Sequence, residues 1–263
     1  GILVDKNIIN LNNLVSDVLP ETIGTSYENA TIRNVLDMNV ASNFIEDYSG
    51  KAEIFKNYRS STGWDISSSK NENTLTGLHN FLSNMPKSDY PHGKKYHYCS
   101  PNSDLLGWII ERTSGEKFSD IMSELLFKPA GINYEANITV DKLGAPRSAG
   151  GISITPYDLL LISELVRENG YNKNGQIIPE NWINDLKGYQ DNSCYLNQDE
   201  LKRFPNGNYR SKWYQTGFED DEFCGIGIHG QNIWINPKKE LTIIRMSSAS
   251  DPINITTEEL MFS

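Results

Sequence analysis

Tyr98 is the residue of this chain whose sequence neighbours best suit catalysis. It stands in a short polar turn, and Ser100 and Asn102 after it can cap a helix with apolar side chains at Leu105 and Ile109. The partly positive end of that predicted helix therefore lies next to the tyrosine. A phenol titrates near pH ~10 in water, and beside positive charge it can be held as a base or a proton shuttle. The turn thus predicts proton-transfer chemistry at Tyr98.

A second polar motif, Gly227–Asn232, lies far along the chain and contains His229. We predict strands over Phe223–Ile235 and Leu241–Met246, joined by the turn sequence at 236–240 into a hairpin. A histidine on a strand is often an ordinary inward side chain, so this motif gains meaning only together with Tyr98. The acidic run that precedes it, 219–222, is interpreted as a solvated loop.

Composition excludes several classes of protein. The 263 residues suffice for one large domain or two intertwined ones, and the net charge of −10 without a basic stripe argues against a nucleic-acid partner. Three cysteines form no disulfide framework, and four scattered histidines without a helical pair give a zinc site little support. No apolar run reaches the ~20 residues that span a bilayer. We therefore expect no metal, no organic cofactor and no membrane span, and we assign no compartment.

The order of predicted elements places helices first and the hairpin last. Residues 42–74 are polar and are predicted as a long loop around one short helix. Thr155 followed by Pro156 and Asp158 is a strong helix start. Lys128-Pro129 is expected to end the helix predicted over residues 119–127. We predict helices over residues 31–38, 52–58, 75–85, from the Tyr98 turn to 115, 119–127, 155–169 and 179–187.

Taken together, the motifs resemble those of the class C β-lactamase-like serine hydrolases. The chain looks most like the 6-aminohexanoate-dimer (nylon-oligomer) hydrolases and related esterases within that group. The anchors, which keep the family's order and spacing, are Pro91–Gly93, Tyr98–Ser100, Leu105–Trp108, Gly150–Ile152, Thr155–Leu159 and Ile228–Gln231. The resemblance implies an α+β, β-lactamase/transpeptidase-like fold, with an antiparallel sheet flanked by helices and a mostly helical subdomain. It also implies hydrolysis of an amide or ester of a small molecule through an acyl-serine intermediate.

The resemblance assigns roles to six residues. Tyr98 matches the family tyrosine that relays a proton, and Ser100 matches a position that is often Asn. His229 begins the strand motif, and Gly230 and Asn232 follow on the strand that supplies an oxyanion-hole N–H, which we assign to Asn232. Tyr48, in the polar loop, takes the place of a second tyrosine that contacts the substrate amide.

The nucleophile of the family, a Ser-x-x-Lys on a buried helix, is not visible in these residues. Ser67–Lys70 lies in a polar loop, and Ser114–Lys117 straddles a helix terminator, so we interpret both as chance matches. We expect the nucleophile to lie upstream of Gly1. The chain 1–263 is then a single β-lactamase-like domain that lacks its N-terminal part, with a helical portion at 25–205 and a sheet portion at 206–263. It should not form an acyl-enzyme alone. The partners that we consider are the missing N-terminal segment and a second copy of the chain in a homodimer.

Other functions stay open at this point. A D,D-peptidase or true β-lactamase uses the same chemistry, but His229 in place of a lysine argues against recognition of a β-lactam carboxylate. A non-catalytic relative would keep the cleft and lack the chemistry. A nucleophilic thiol at Cys99 is the least favoured alternative, because no basic partner for it is visible in the sequence.

Overall fold

The structure, a computed structural model, describes residues 1–64, 77–189, 191, 193–196, 204, 206–218 and 221–253. Its helices are α1 Ile2–Asp5, α2 Val15–Val18, α3 Ile32–Leu36, α4 Glu53–Ser61, α5 Leu78–Leu82, α6 Ser100–Ser114, α7 Phe118–Met122, α8 Lys128–Ala130, α9 Pro156–Arg167, α10 Glu180–Gly188 and α11 Ser193–Leu196. Its strands are β1 Asn137–Ile138, β2 Ile152–Ser153, β3 Tyr171–Asn172, β4 Gly175–Gln176, β5 Asn208–Arg210, β6 Trp213–Gln215, β7 Phe223–Gly227, β8 Gln231–Asn236 and β9 Leu241–Arg245.

Local sequence signals account for where the main helices begin and end. The Thr155 hydroxyl accepts a hydrogen bond from the Asp158 N–H at the start of α9, as its spacing predicted. The Thr31 hydroxyl caps α3 in the same way. Helix α6 ends at Gly115, which adopts the left-handed conformation (φ 74°) that glycine tolerates without strain. The helices of the sequence analysis are therefore present, with shifted ends.

The principal sheet has five strands in sequential order, β5-β6-β7-β8-β9, and every neighbouring pair is antiparallel. This confirms an α+β architecture with an antiparallel sheet late in the chain. Its strands lie between residues 208 and 245, whereas the division of one domain at residue 205 stays a prediction.

Two elements differ from the prediction. The segment predicted as one strand over 223–235 is two strands, because His229 (φ 60°) and Gly230 (φ 84°) reverse the chain between β7 and β8. The helix predicted to stop at Lys128-Pro129 continues through a π-helical turn, Ser123–Phe127, into α8 and ends at Gly131. Pro129 therefore lies within a continuous helical segment, just after the π-helical turn passes into α8.

The sheet is covered on both faces. The main core joins α6, through Leu105 and Ile109, to Tyr209, Tyr214 and Trp234 of the sheet. A second cluster packs α9 and α10 against the opposite face and consists of Val166, Ile183, Leu186, Phe223 and Ile235. None of the helices in the described ranges is long and apolar enough to cross a membrane.

Glu222 corrects the interpretation of the acidic run as solvated. It is only 7 % exposed, and its carboxylate accepts hydrogen bonds from Thr216, Trp234 and Asn236. This buried carboxylate with three donors lies directly before β7 and connects the residue that follows β6 to β8. Residues 219 and 220 lie outside the described residues.

A buried ion pair attaches α6 to the rest of the helical region. The Asp104 carboxylate accepts hydrogen bonds from Arg147, from the Tyr58 hydroxyl (2.7 Å) and from the Ala149 N–H (2.8 Å). The Arg147 guanidinium lies 4.8 Å from the centre of the Tyr58 ring. Burial raises the pKa of Asp104, and the arginine opposes that rise. One carboxylate thus connects α6, α4 and the segment around Arg147.

Gly107 allows the same segment to approach α6 closely. A Cβ at this position would collide with the Ser148 hydroxyl, which donates a hydrogen bond to the Ser103 carbonyl (2.9 Å). The glycine of the Leu105–Trp108 motif therefore serves packing between α6 and the chain beside Arg147.

Replacement of Arg147 by methionine should lower the free energy of unfolding by about 3–5 kcal/mol, because the buried Asp104 charge loses its partner. Arg112→Met is the matched control: this arginine also pairs with a carboxylate, Glu21, and lies over a ring, Trp108, but the pair is exposed. We expect the control to change stability by less than about 1 kcal/mol. Urea denaturation of both variants measures this, and equal losses would contradict the role assigned to the pair.

Candidate active site

Tyr98 lies directly before α6, with Cys99 as the N-cap residue, and it packs against the main core. Burial, and next the negative charge of Glu46, raise the pKa of the Tyr98 phenol to about 12. The sequence analysis expected positive charge beside this phenol; the structure adds a carboxylate, Glu46, whose effect on the pKa exceeds that of the positive Arg147. Tyr98 is therefore protonated at neutral pH and can donate a proton or a hydrogen bond.

Ser100 is the first residue of α6 and is held by Glu46. Its N–H donates to Glu46 Oε2 (2.8 Å) and its hydroxyl donates to Glu46 Oε1 (2.7 Å). The cap that the sequence assigned to Ser or Asn is thus a carboxylate from a loop 54 residues away. Because the hydroxyl proton is directed to Glu46, Ser100 can offer a ligand its oxygen only as an acceptor.

Tyr48 lies on the other side of the same carboxylate. Its phenol and the Glu46 carboxylate share a hydrogen bond, and burial together with that charge raises the pKa of Tyr48 far above its ordinary value. The edge of its ring packs against Phe55 at a centroid distance of 5.4 Å. Three of the six predicted site residues, Tyr48, Tyr98 and Ser100, therefore surround Glu46.

His229 and Gly230 occupy the turn between β7 and β8. The His229 N–H donates to the Pro252 carbonyl (2.9 Å), and the Nδ1 atom lies 2.8 Å from the Ala249 carbonyl oxygen. A carbonyl only accepts, so Nδ1 carries a proton; in the neutral imidazole Nε2 is then an acceptor. A Cβ at Gly230 would lie 3.1 Å from Ser247, which explains a glycine at that close approach.

Asn232 lies inside the sheet, paired with Ile226 of β7 and Arg245 of β9. Its backbone N–H therefore lies between strands, where ladder hydrogen bonds form. Its side chain is 5 % exposed and shares a face of β8 with Trp234, the face that packs on the main core. The predicted oxyanion role for its N–H stays a prediction, and the side-chain amide is the group this geometry turns towards the helical region.

The two Ser-x-x-Lys strings are not equally visible. Ser67–Lys70 lies outside the described residues. Ser114 is the last residue of α6, its hydroxyl donates to the Ile110 carbonyl, and Lys117 is the N-cap of the next helix, α7. Gly115 separates the two residues, so this string is not a helical pair.

Cys99 is fully buried, and burial followed by the charge of Glu46 raises the pKa of its thiol. A thiol held in its protonated form is a poor nucleophile. The structure therefore argues against the thiol alternative.

The sequence analysis did not identify Lys212 as a residue of this region. Together with Ser211 it forms the two-residue turn between β5 and β6. Both residues have positive φ, 48° at Ser211 and 73° at Lys212, a conformation that usually selects Asn or Gly. Its Nζ atom lies 3.4 Å from the Met38 sulfur. Burial lowers the pKa of the Lys212 amine to about 7, although Cys99 and Asp37 oppose that shift.

Asp37 holds this strained turn in place. Its carboxylate accepts the Ser211 N–H (2.9 Å) and pairs with Arg210 (2.6 Å), while the Lys212 N–H donates to the Leu36 carbonyl (3.2 Å). Strained backbone that neighbouring groups fix in this way is frequent at functional sites. Neither Glu46 nor Lys212 carries a sequence signal, because each is defined by partners far away in the chain.

Comparison with known proteins identifies relatives of the whole chain. The family model described as beta-lactamase matches residues 1–260. A 6-aminohexanoate-dimer hydrolase of Paenarthrobacter ureafaciens is 30 % identical over 252 residues, which are 96 % of this chain and 63 % of the relative.

Solved structures show the fold. The structure of a candidate 6-aminohexanoate-dimer hydrolase from Bacillus anthracis superposes with a TM-score of 0.84 at 21 % identity, over 99 % of this chain and 66 % of the other. EstCE1, a hydrolase with promiscuous acyltransferase activity, superposes with a TM-score of 0.72 at 12 % identity, over 94 % of this chain and 75 % of the other. The expected β-lactamase-like fold is confirmed. This chain spans just under two thirds of the length of the Paenarthrobacter ureafaciens and Bacillus anthracis relatives.

Replacement of Lys212 by methionine should stabilise the protein more at low pH than at high pH. The folded pKa of about 7 lies below the ordinary value of 10.5, so the unfolded state binds an extra proton between these values and the wild type gains stability as pH rises. The advantage of the methionine variant should fall by about 2 kcal/mol between pH 7 and pH 9. Denaturation at both pH values measures it, and an advantage independent of pH would contradict a buried neutral amine.

Proposed function

Because this chain belongs to the beta-lactamase family, we propose that the protein is a serine hydrolase that cleaves an amide or ester through an acyl-serine intermediate. The observation that carries this proposal is the half-buried, protonated Tyr98 phenol directly before α6. An amide cannot be cleaved readily unless its leaving nitrogen receives a proton, and a positioned phenol can deliver one.

The proposed division of roles leaves the nucleophile outside the residues of this sequence. Ser114–Lys117 is divided between two helices, so it cannot place an amine beside a hydroxyl as the chemistry requires. In the proposal this chain contributes the proton donor Tyr98, with Tyr48 and Ser100 beside it. It also contributes the β7–β8 turn with His229, Gly230 and Asn232 as the wall that positions substrate and stabilises the oxyanion.

A short amide is the substrate class that the proposal favours, and two observations support it. The relative at 30 % identity is a hydrolase of the 6-aminohexanoate dimer. At the β7–β8 turn, His229 donates through Nδ1 to a carbonyl, and in the neutral imidazole Nε2 is an acceptor, whereas recognition of a β-lactam carboxylate calls for a donor or a cation. An amide or ester without a carboxylate at this point fits better.

The test is covalent labelling of the full-length protein with a fluorophosphonate, followed by intact mass and peptide mapping. We expect one adduct, on a serine outside residues 1–263. A labelled serine within these residues would overturn the placement of the nucleophile, and a full-length protein without any adduct would overturn the serine-hydrolase assignment. Turnover of the 6-aminohexanoate dimer, a p-nitrophenyl ester and a cephalosporin then ranks the amide, ester and β-lactam substrates.

Removal of the phenolic hydroxyl in Tyr98→Phe should lower kcat by roughly 10²–10⁴-fold, the usual contribution of a positioned acid or base, with little change in KM. The loss should be smaller for an activated ester, whose leaving group needs no proton. Tyr171→Phe is the control, since Tyr171 is 57 % exposed in β3, outside the proposed site. Steady-state kinetics measure both variants, and a Tyr98→Phe enzyme with unchanged amide turnover would exclude Tyr98 as the proton donor.

A further inference from the structure

Glu46 interacts with three of the site residues at once. Both of its carboxylate oxygens receive hydrogen bonds from Ser100, at 2.8 Å from the N–H and 2.7 Å from the hydroxyl. It also shares a hydrogen bond with Tyr48, and its charge acts on Tyr98. A carboxylate at the N-terminus of a 15-residue helix is in addition favoured by the helix dipole.

In the described part of the chain, Glu46 has no ion-pair partner. Among the described residues no lysine or arginine lies within ion-pair distance of its carboxylate, and the nearby Arg147 is committed to Asp104. The titratable groups that interact with Glu46 electrostatically are Tyr48, Tyr58, Tyr98, Cys99, Arg147 and Lys212. The phenols and the thiol in this set are neutral acids, so ionisation of any of them would place a second negative charge beside Glu46.

We propose that Glu46 is the positioning residue of this site: its carboxylate fixes Ser100 at the start of α6, and its negative charge extends to higher pH the range over which the Tyr98 phenol stays protonated. This inference rests on the proposed function for its catalytic meaning. The arrangement of charge and phenol that it describes can be measured without any turnover.

Stability does not account for the charge on Glu46. Burial raises the pKa of this carboxyl, so the ionised form is held at a cost at neutral pH even with the Ser100 hydrogen bonds. A glutamine of the same shape could still accept one hydrogen bond from Ser100 and would avoid that cost. The charge acts on Tyr98 instead: burial, and next the negative charge of Glu46, raises the pKa of that phenol to about 12.

The direct test is a pH titration of the Tyr98 phenol by NMR of protein labelled with ¹³Cζ-tyrosine, with Tyr98→Phe used to assign the resonance. In Glu46→Gln the midpoint of Tyr98 should fall towards the ordinary phenol value near 10. The same variant should unfold at an equal or higher denaturant concentration at pH 8.

Asp47→Asn is the matched control. Asp47 is the next residue, and it too accepts backbone N–H groups, those of Ser49, Lys51 and Ala52. It is not among the groups that shift the Tyr98 phenol. This control should lower the denaturation midpoint and leave the Tyr98 titration unchanged.

The kinetic test uses the full-length enzyme. The alkaline limb of its kcat profile should move to lower pH in Glu46→Gln. Ser100→Ala keeps the carboxylate and removes a hydrogen bond that lowers the Tyr98 pKa, so it should lower kcat without moving that limb to lower pH. A Tyr98 midpoint that does not move in Glu46→Gln, or that moves equally in Asp47→Asn, would overturn the role of Glu46. Absence of fluorophosphonate labelling in the wild type would instead remove the proposed function and leave the titration result intact.

Discussion

The ion pair between Asp104 and Arg147 is the interaction on which the geometry of the helical region depends. Helix α6 is the longest helix of the described chain, and its position determines where Tyr98 and Ser100 lie. Asp104 connects its second turn to Tyr58 of α4 and to the backbone at Ala149. Both Asp104 carboxylate oxygens receive hydrogen bonds, and breaking a buried pair of this kind leaves a charge without a partner, which favours the arrangement in which the three segments meet.

At the start of α6, burial also acts on three side chains that could take part in chemistry: a phenol, a thiol and an amine. Burial holds the phenol of Tyr98 and the thiol of Cys99 in their neutral forms, and it lowers the pKa of the Lys212 amine to about 7. Glu46 is the acid of this cluster whose charge the structure supports with hydrogen bonds, two of them from Ser100. The candidate site is therefore organised around one carboxylate, with proton donors on either side of it.

The sheet contributes by its turns more than by its strands. Lys212 and His229 both adopt positive φ in short reversals, at the β5–β6 and β7–β8 connections. Such conformations cost of order 1 kcal/mol each in residues other than glycine, and neighbouring groups hold both of them: Asp37 for the first turn and the carbonyls of Ala249 and Pro252 for the second. At both turns a polar side chain therefore stands at a position of the hairpin where an unstrained turn would have glycine.

By itself the sequence determined the features that depend on near neighbours. Thr155 and Gly115 mark helix ends by local hydrogen bonds and backbone freedom, and the Tyr98 turn together with the other motifs indicated the family. Only the tertiary structure decided the charge beside that tyrosine: Glu46 comes from a loop 54 residues before Ser100. A pKa depends on burial and on charges within a few ångströms, and these are set by the packing of distant segments, which the order of residues does not display.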